Sequence, residues 1–105
     1  MKILFDQGTP VPLRDHLYSH DIDTAAERGW SQLENGELLA VAEKDGYDLF
    51  VTTDQNLRYQ QSLKDRSLAI LVLKTTSWPK IKRQSEQVLS AINGLDAGGY
   101  LELEF

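Results

Sequence analysis

The 105-residue sequence predicts a three-layer α/β/α sandwich built on a mostly parallel sheet of about five strands. Three observations carry that expectation. Short apolar runs alternate with segments of helical spacing along the whole chain. Two of the runs, Lys2–Phe5 and Leu49–Thr53, each end in an aspartate, Asp6 and Asp54, and lead straight into a helix start. A third, Leu68–Leu73, is apolar throughout, the pattern of a central strand covered on both faces. The length suits one domain, residues 1–105. Right-handed crossovers then favour the order 2-1-3-4-5, which makes strands one and three neighbours and sets Asp6 beside Asp54.

Taken in order, residues 2 to 5 are the first strand. Pro10 or Pro12 suits the first turn of a helix running to about Tyr18. His16 and His20 fall near its end, where a cationic ring complements the helix dipole. No partner stands at metal-ligand spacing from either. Asp21–Ala25 alternates and reads as a short edge strand. Glu27–Glu34 is irregular, and its Trp30 reads as a lid over core rather than a base-stacking platform.

A clear helix begins at Glu34 or Asn35, with Asn35 as its N-cap and Leu38, Leu39 and Ala42 on one face; Gly46 is the expected C-terminal glycine. The strand ending in Asp54 follows, and Asp54 caps a short helix over Gln55–Leu63. After Leu68–Leu73, Ser77 caps a last helix with Pro79 in its first turn, running to about Asn93-Gly94 and turning Ile81, Val88, Leu89 and Ile92 to the sheet. Tyr100–Phe105 alternates strictly, as a half-exposed edge strand whose acids blunt that edge.

The chain has no cysteine, which excludes a disulfide scaffold, a thiolate metal site and a cysteine nucleophile. No apolar run approaches the ~20 residues of a membrane span, and no signal pattern opens the sequence, so a cytoplasmic protein is expected. The formal charge of -5 argues against broad binding to nucleic acid. From Arg58 to Arg83, however, seven cations face a single acid, Asp65, a local charge of +6 that can steer a polyanion to one side.

Two carboxylates in one crevice repel unless one is protonated or a cation or donor network compensates them. Mg²⁺ is a natural compensator: it binds through one or two carboxylates, keeps waters and meets substrate phosphates. Glu37 or Glu34, at the start of the middle helix, is the candidate third acid. Each of these acids also has an ordinary role as helix cap or dipole partner.

Phe5-Asp6, Asn35-Gly36-Glu37-Leu38-Leu39, Val51-Thr52-Thr53-Asp54 and Leu57 with Tyr59-Gln60-Gln61 together resemble the small PIN-like proteins of the PIN nuclease superfamily, from Met1 to about Leu73. The resemblance implies a metal-dependent endoribonuclease, which hydrolyses RNA with Mg²⁺ or Mn²⁺ held by its acids. It also implies the toxin of a toxin-antitoxin pair, with an antitoxin-like protein partner or a homodimer. By position, Asp6, Asp54 and Glu37 are the catalytic metal ligands, with Asn35 assisting where related proteins often carry Asp. Thr52 is the motif hydroxyl, and Arg58, Tyr59, Gln60 and Gln61 are substrate contacts. Arg58 suits a phosphate and Tyr59 a base.

Two other classes compete. A PIN-like binding module without strong catalysis would act through a protein partner. A receiver domain would take a phosphoryl group on Asp54, and Lys74 does follow the last parallel strand, but Gln7 stands where receivers carry a second acid.

Overall fold

Strands β1 (Lys2–Phe5), β2 (Asp21–Thr24), β3 (Leu49–Thr52), β4 (Ala69–Leu73) and β5 (Tyr100–Leu103) form one sheet in the order β2-β1-β3-β4-β5. Every neighbouring pair is parallel, β5 included. The structure is a computed structural model and describes residues 1–57 and 66–105. Most of the helix expected after Asp54, with Arg58, Tyr59, Gln60 and Gln61, lies outside the described residues.

The period-2 alternation of strand side chains divides the core into two layers. Ile3, Phe5, Leu49, Val51, Leu71 and Leu73 point to one face, where the 3₁₀ turn Val11–His16 and the helices α2 (Trp78–Arg83) and α3 (Ser85–Gly94) cover them with Leu13, Ile81, Val88 and Ile92. Leu4, Phe50, Ile70 and Val72 point to the other, under α1 (Asn35–Lys44) and its Leu38, Leu39 and Ala42. Phe5, Phe50, Leu4, Leu49, Leu71 and Leu73 are fully buried, each contributing about 1.5–3 kcal/mol relative to an exposed position.

Several local expectations are revised. Residues 11–16 wind as 3₁₀ rather than α, with Leu13 N–H bonded to Pro10 O (3.1 Å) and Leu17 N–H to Arg14 O (3.1 Å). Pro10 and Pro12 lack N–H groups, so only a short, tight turn is supported. The last helix is two helices: at Gln84 the N–H bonds Ile81 O (3.0 Å), three residues back, and the backbone leaves helical geometry. Asn35 is not an N-cap. Glu34 occupies that position, and Asn35 sits in the first turn with its side chain bonded elsewhere. Where the expected edge strand meets the stretch read as irregular, Thr24 and Glu27 make a reciprocal box. The Thr24 N–H donates to Glu27 Oε1 (2.9 Å) and the Glu27 N–H to Thr24 Oγ1 (3.1 Å). The Arg14 guanidinium, bidentate on Glu27, holds that carboxyl down at about 2.

Behind this turn a polar network ties β2 to the end of α1. Tyr47 O–H donates to Asp23 Oδ2 (2.6 Å) and accepts from Arg28 (2.7 Å), which also pairs with Asp45. Burial, and next the bond to Asp23, push the Tyr47 phenol up to about 12, although Arg28 acts to lower it. An unfolded phenol ionises near 10.0. The neutral Tyr47 therefore contributes stability that is intact below pH ~10 and is lost as pH rises towards 12. In a near-ultraviolet absorbance titration one tyrosine should ionise late, near pH 12, and Tyr47→Phe should remove that late phase. A titration unchanged in Tyr47→Phe would refute the assignment.

Candidate functional site: an acid pair where the strand order reverses

From β1 the chain crosses to β2 over one face of the sheet, and from β2 to β3 over the other, so the carboxyl ends of β1 and β3 border the crevice where ligands of open α/β sheets bind. Asp6 stands at the first end and Asp54 just past the second. The Asp6 N–H continues the ladder to Val51 O (3.1 Å) and fixes the side chain's starting point.

Fully buried Thr52 joins the two acids. Its hydroxyl donates to Asp6 Oδ2 and accepts from the Asp54 N–H (3.0 Å), so its one hydrogen and a lone pair are both committed. Thr9, also buried, holds the other Asp6 oxygen: its N–H (3.1 Å) and Oγ1 (2.8 Å) both meet Oδ1. Thr9 Oγ1 stands 3.0 Å from Val51 O as well. One hydroxyl hydrogen serves one of these acceptors at a time. With Asp6 protonated on Oδ1 both contacts are satisfied, because Asp6 then donates to Thr9 and Thr9 to Val51.

Burial pushes the Asp6 carboxyl above its ordinary value, opposed by the hydrogen bonds from Thr52 and Thr9 and from the Gly8 backbone. Its donors are all neutral, and no Lys, Arg or His among the described residues lies at ion-pair distance. Asp54 is more open. Its Oδ1 accepts from the Asn56 N–H (2.9 Å), which caps the following turn as expected, and its Oδ2 from Asn35 Nδ2 (2.8 Å).

Asn35 therefore reaches the pair, by orienting Asp54. Glu37, in the first turn of α1, is exposed, as is Glu34. Among the described residues no three His, Cys, Asp or Glu gather closely enough to hold an ion. Lys74 is paired with Glu104 (3.0 Å) and Glu102 (4.0 Å).

Beside Asp6 opens a cleft of about 170 Å³, walled by Gln7 and Gly8 after β1, by Trp30 and Ser31 in the β2–α1 connection, and by Asn35 and Leu38 of α1. Trp30 is half-buried against the core, as a lid, and also faces this cleft. A Cβ at Gly8 would stand 2.5 Å from Thr53 Oγ1, so a side chain there requires the Thr53 hydroxyl to turn away. The sequence reading passed over Thr9, Gly8 and Ser31. The spacing Asp6-x-x-Thr9, an acid three residues before a hydroxyl in a turn, was the available signal for the first.

Fold and rim together define the class: an all-parallel α/β sandwich with an acid at each strand bordering the strand-order reversal. No family model, no curated protein and no solved structure matches the chain. No helix among the described residues is long and apolar enough to cross a membrane.

Proposed function

We propose that the protein is a Mg²⁺- or Mn²⁺-dependent endoribonuclease of PIN-like type, hydrolysing RNA phosphodiester bonds at the rim between β1 and β3. The observation that carries this reading is Asp6, a carboxyl withdrawn from water, held by neutral donors and lacking a cationic partner among the described residues. Such a group is costly unless it is protonated or meets a cation. The donor set fits a hard ion, since Asp6, Asp54 and the carbonyl of Asn35 offer oxygen only. Glu37 joins the proposed set if its exposed side chain turns to the rim.

A bound divalent ion would supply a water acidic enough to attack phosphorus and would neutralise charge on the leaving oxygen. The chain's own residues do the positioning. Thr52 and Thr9 hold Asp6, and Asn35 and the Asn56 N–H hold Asp54, so both carboxylates would meet the ion without reorganising. Arg58, Tyr59, Gln60 and Gln61 follow Asp54 directly in sequence and remain the proposed substrate contacts.

RNA binding draws on α2. Lys80, Lys82 and Arg83 are exposed and have no carboxylate partner among the described residues. Replacing all three with Ala should weaken single-stranded RNA binding at every sequence and lower the salt slope by about 2, at ~0.7 per phosphate contact. An unchanged slope would remove α2 from the RNA surface.

The Asn35 side chain favours a second reading. Where a third carboxylate would add charge, an amide donates to Asp54 instead, which fits a catalytically weak module acting through a protein partner such as an antitoxin, or as a homodimer, in the cytoplasm. Titration with Mg²⁺ and then trace Mn²⁺, followed by residue-resolved NMR, separates the two. Broadening centred on Asp6 and Asp54, with RNA cleavage that EDTA abolishes, supports the nuclease. Broadening scattered over the surface, with no cleavage, supports the module.

A further inference from the structure

We propose that Asn35-Gly36 is a self-modification site, at which Asn35 loses ammonia to become aspartate and supplies the third carboxylate that the rim between β1 and β3 lacks. The inference rests on the reading of that rim as a cation site and names how the site gains its charge.

The sequence supplies the chemistry. Asparagine is a thermolabile residue, and a glycine after it opens the way to cyclisation, because no Cβ shields the attacking nitrogen. The Gly36 main-chain nitrogen, having given its proton to solvent base, bonds to Asn35 Cγ. The Cγ–Nδ2 bond breaks and ammonia leaves. Water then opens the ring that results. Opening at Cγ gives aspartate, whereas opening at the Asn35 main-chain carbonyl gives the iso product, with an extra carbon in the backbone. Water is consumed, ammonia is released, and nothing is oxidised or reduced.

The fold leaves this nitrogen available. Gly36 is the second residue of α1, so its N–H has no acceptor within the helix. The chain holds one other pair of this kind, Asn93-Gly94. It ends α3, where helix geometry gives the Gly94 N–H the Ser90 carbonyl, and Asn93 Oδ1 is paired with His20 Nε2 (3.0 Å).

The consequence is electrostatic. Asn35 Nδ2 lies 2.8 Å from Asp54 Oδ2, and Asn35 lines the same cleft as Asp6. After conversion an oxygen stands where that nitrogen donated. Two carboxylates in contact repel unless a cation bridges them, and with Asp6 the rim then offers three acids to one hard ion. The donor that steadied Asp54 becomes a ligand. The hydrogen bond to Asp54 restrains the amide and slows the conversion, so both forms coexist as the protein ages. The protein as synthesised is the weak module, and the converted protein is the form that holds the ion.

The whole protein is held in mildly alkaline buffer with EDTA, beside a synthetic peptide of residues 33–38 that times the reaction. Peptide mass spectrometry should show position 35 gaining the mass difference between –NH₂ and –OH, and Gly36→Ala should lag far behind. Asn35→Asp, checked for folding by circular dichroism, should bind Mn²⁺ at least about tenfold more tightly than fresh protein by electron paramagnetic resonance. It should also melt below fresh protein in EDTA and recover in Mg²⁺. Asn35 intact once the peptide has fully converted, conversion to the iso product alone, or no gain in Mn²⁺ affinity in Asn35→Asp overturns the proposal. Modification and nuclease fail separately. Tighter Mn²⁺ binding in Asn35→Asp without RNA cleavage sinks the nuclease alone, whereas full cleavage by protein that never converts sinks the modification alone.

Discussion

Gly98→Ala should destabilise the protein by about 3 kcal/mol, a fall in melting temperature of roughly 10–20 °C for a domain of this size. Two causes act at one atom. Gly98 has φ +74, a conformation L residues adopt only at a cost, and a Cβ there would lie 2.5 Å from the Arg66 carbonyl oxygen. That oxygen belongs to backbone which cannot swing aside, because the turn is docked: the Gly98 N–H bonds Ser67 O (2.9 Å) and Ile70 N–H bonds Gly99 O (2.8 Å). Moving it would pull β5 off β4. Gly46 is the control, with φ +82 and nothing within 4 Å of a Cβ. Gly46→Ala should cost only about 1 kcal/mol, and the difference between the two denaturation curves isolates the overlap. Equal losses would show that conformation alone governs both turns.

Asp6→Asn should lower RNA cleavage by at least about 10²–10³-fold while leaving the melting temperature at neutral pH unchanged or higher. The second half follows from the raised proton affinity of this carboxyl. A folded-state value above the unfolded 3.8 means that the neutral form contributes stability, fully present below 3.8 and lost as pH rises through the folded value. Wherever Asp6 is ionised the charge is a deficit, and the amide removes it. With the amide nitrogen in the place of Oδ1 it donates to Thr9 Oγ1, which then donates to Val51 O, while the amide oxygen keeps the bond from Thr52. The advantage of Asp6→Asn should shrink as pH falls towards 4, and Mg²⁺ should raise the melting temperature of the unaltered protein only. Loss of several degrees in Asp6→Asn at neutral pH, with no Mg²⁺ effect on either protein, would make Asp6 a structural cap.

Much of the fold was legible because the strands carry their own evidence. Lys2–Phe5 and Leu68–Leu73 are too apolar to sit anywhere but between layers, and Gly46 marks the end of α1 where its φ requires glycine. Strand order followed from crossover handedness. The site was legible only to the level of Asp6, Thr52 and Asp54 on neighbouring strands. How each carboxylate is occupied depends on contacts across 46, 42 and 19 residues, Thr52 to Asp6, Thr9 to Val51 and Asn35 to Asp54, and local pattern says nothing about those. Asn35 is the clearest case. By local rules it is an N-cap, yet a distant acid recruits its side chain and Glu34 is left at the cap position. The break at Gln84 was equally hidden, since Ile81, Val88 and Ile92 keep the spacing of one unbroken helix.

The strand pairings differ in how much chain they enclose. Lys2 meets Asp21, Leu49 meets Ala69 and Ile70 meets Tyr100, loops of 19, 20 and 30 residues, whereas Ile3 meets Leu49 across 46. Closing that longest loop costs only about 0.8 kcal/mol more than the shortest, but it has no hairpin to nucleate it, and pairings of this kind are slow. Asp6 and Asp54 become neighbours only when it closes. A nascent or partly folded chain therefore carries both acids far apart and inert, and whatever the rim does begins with the completed sheet.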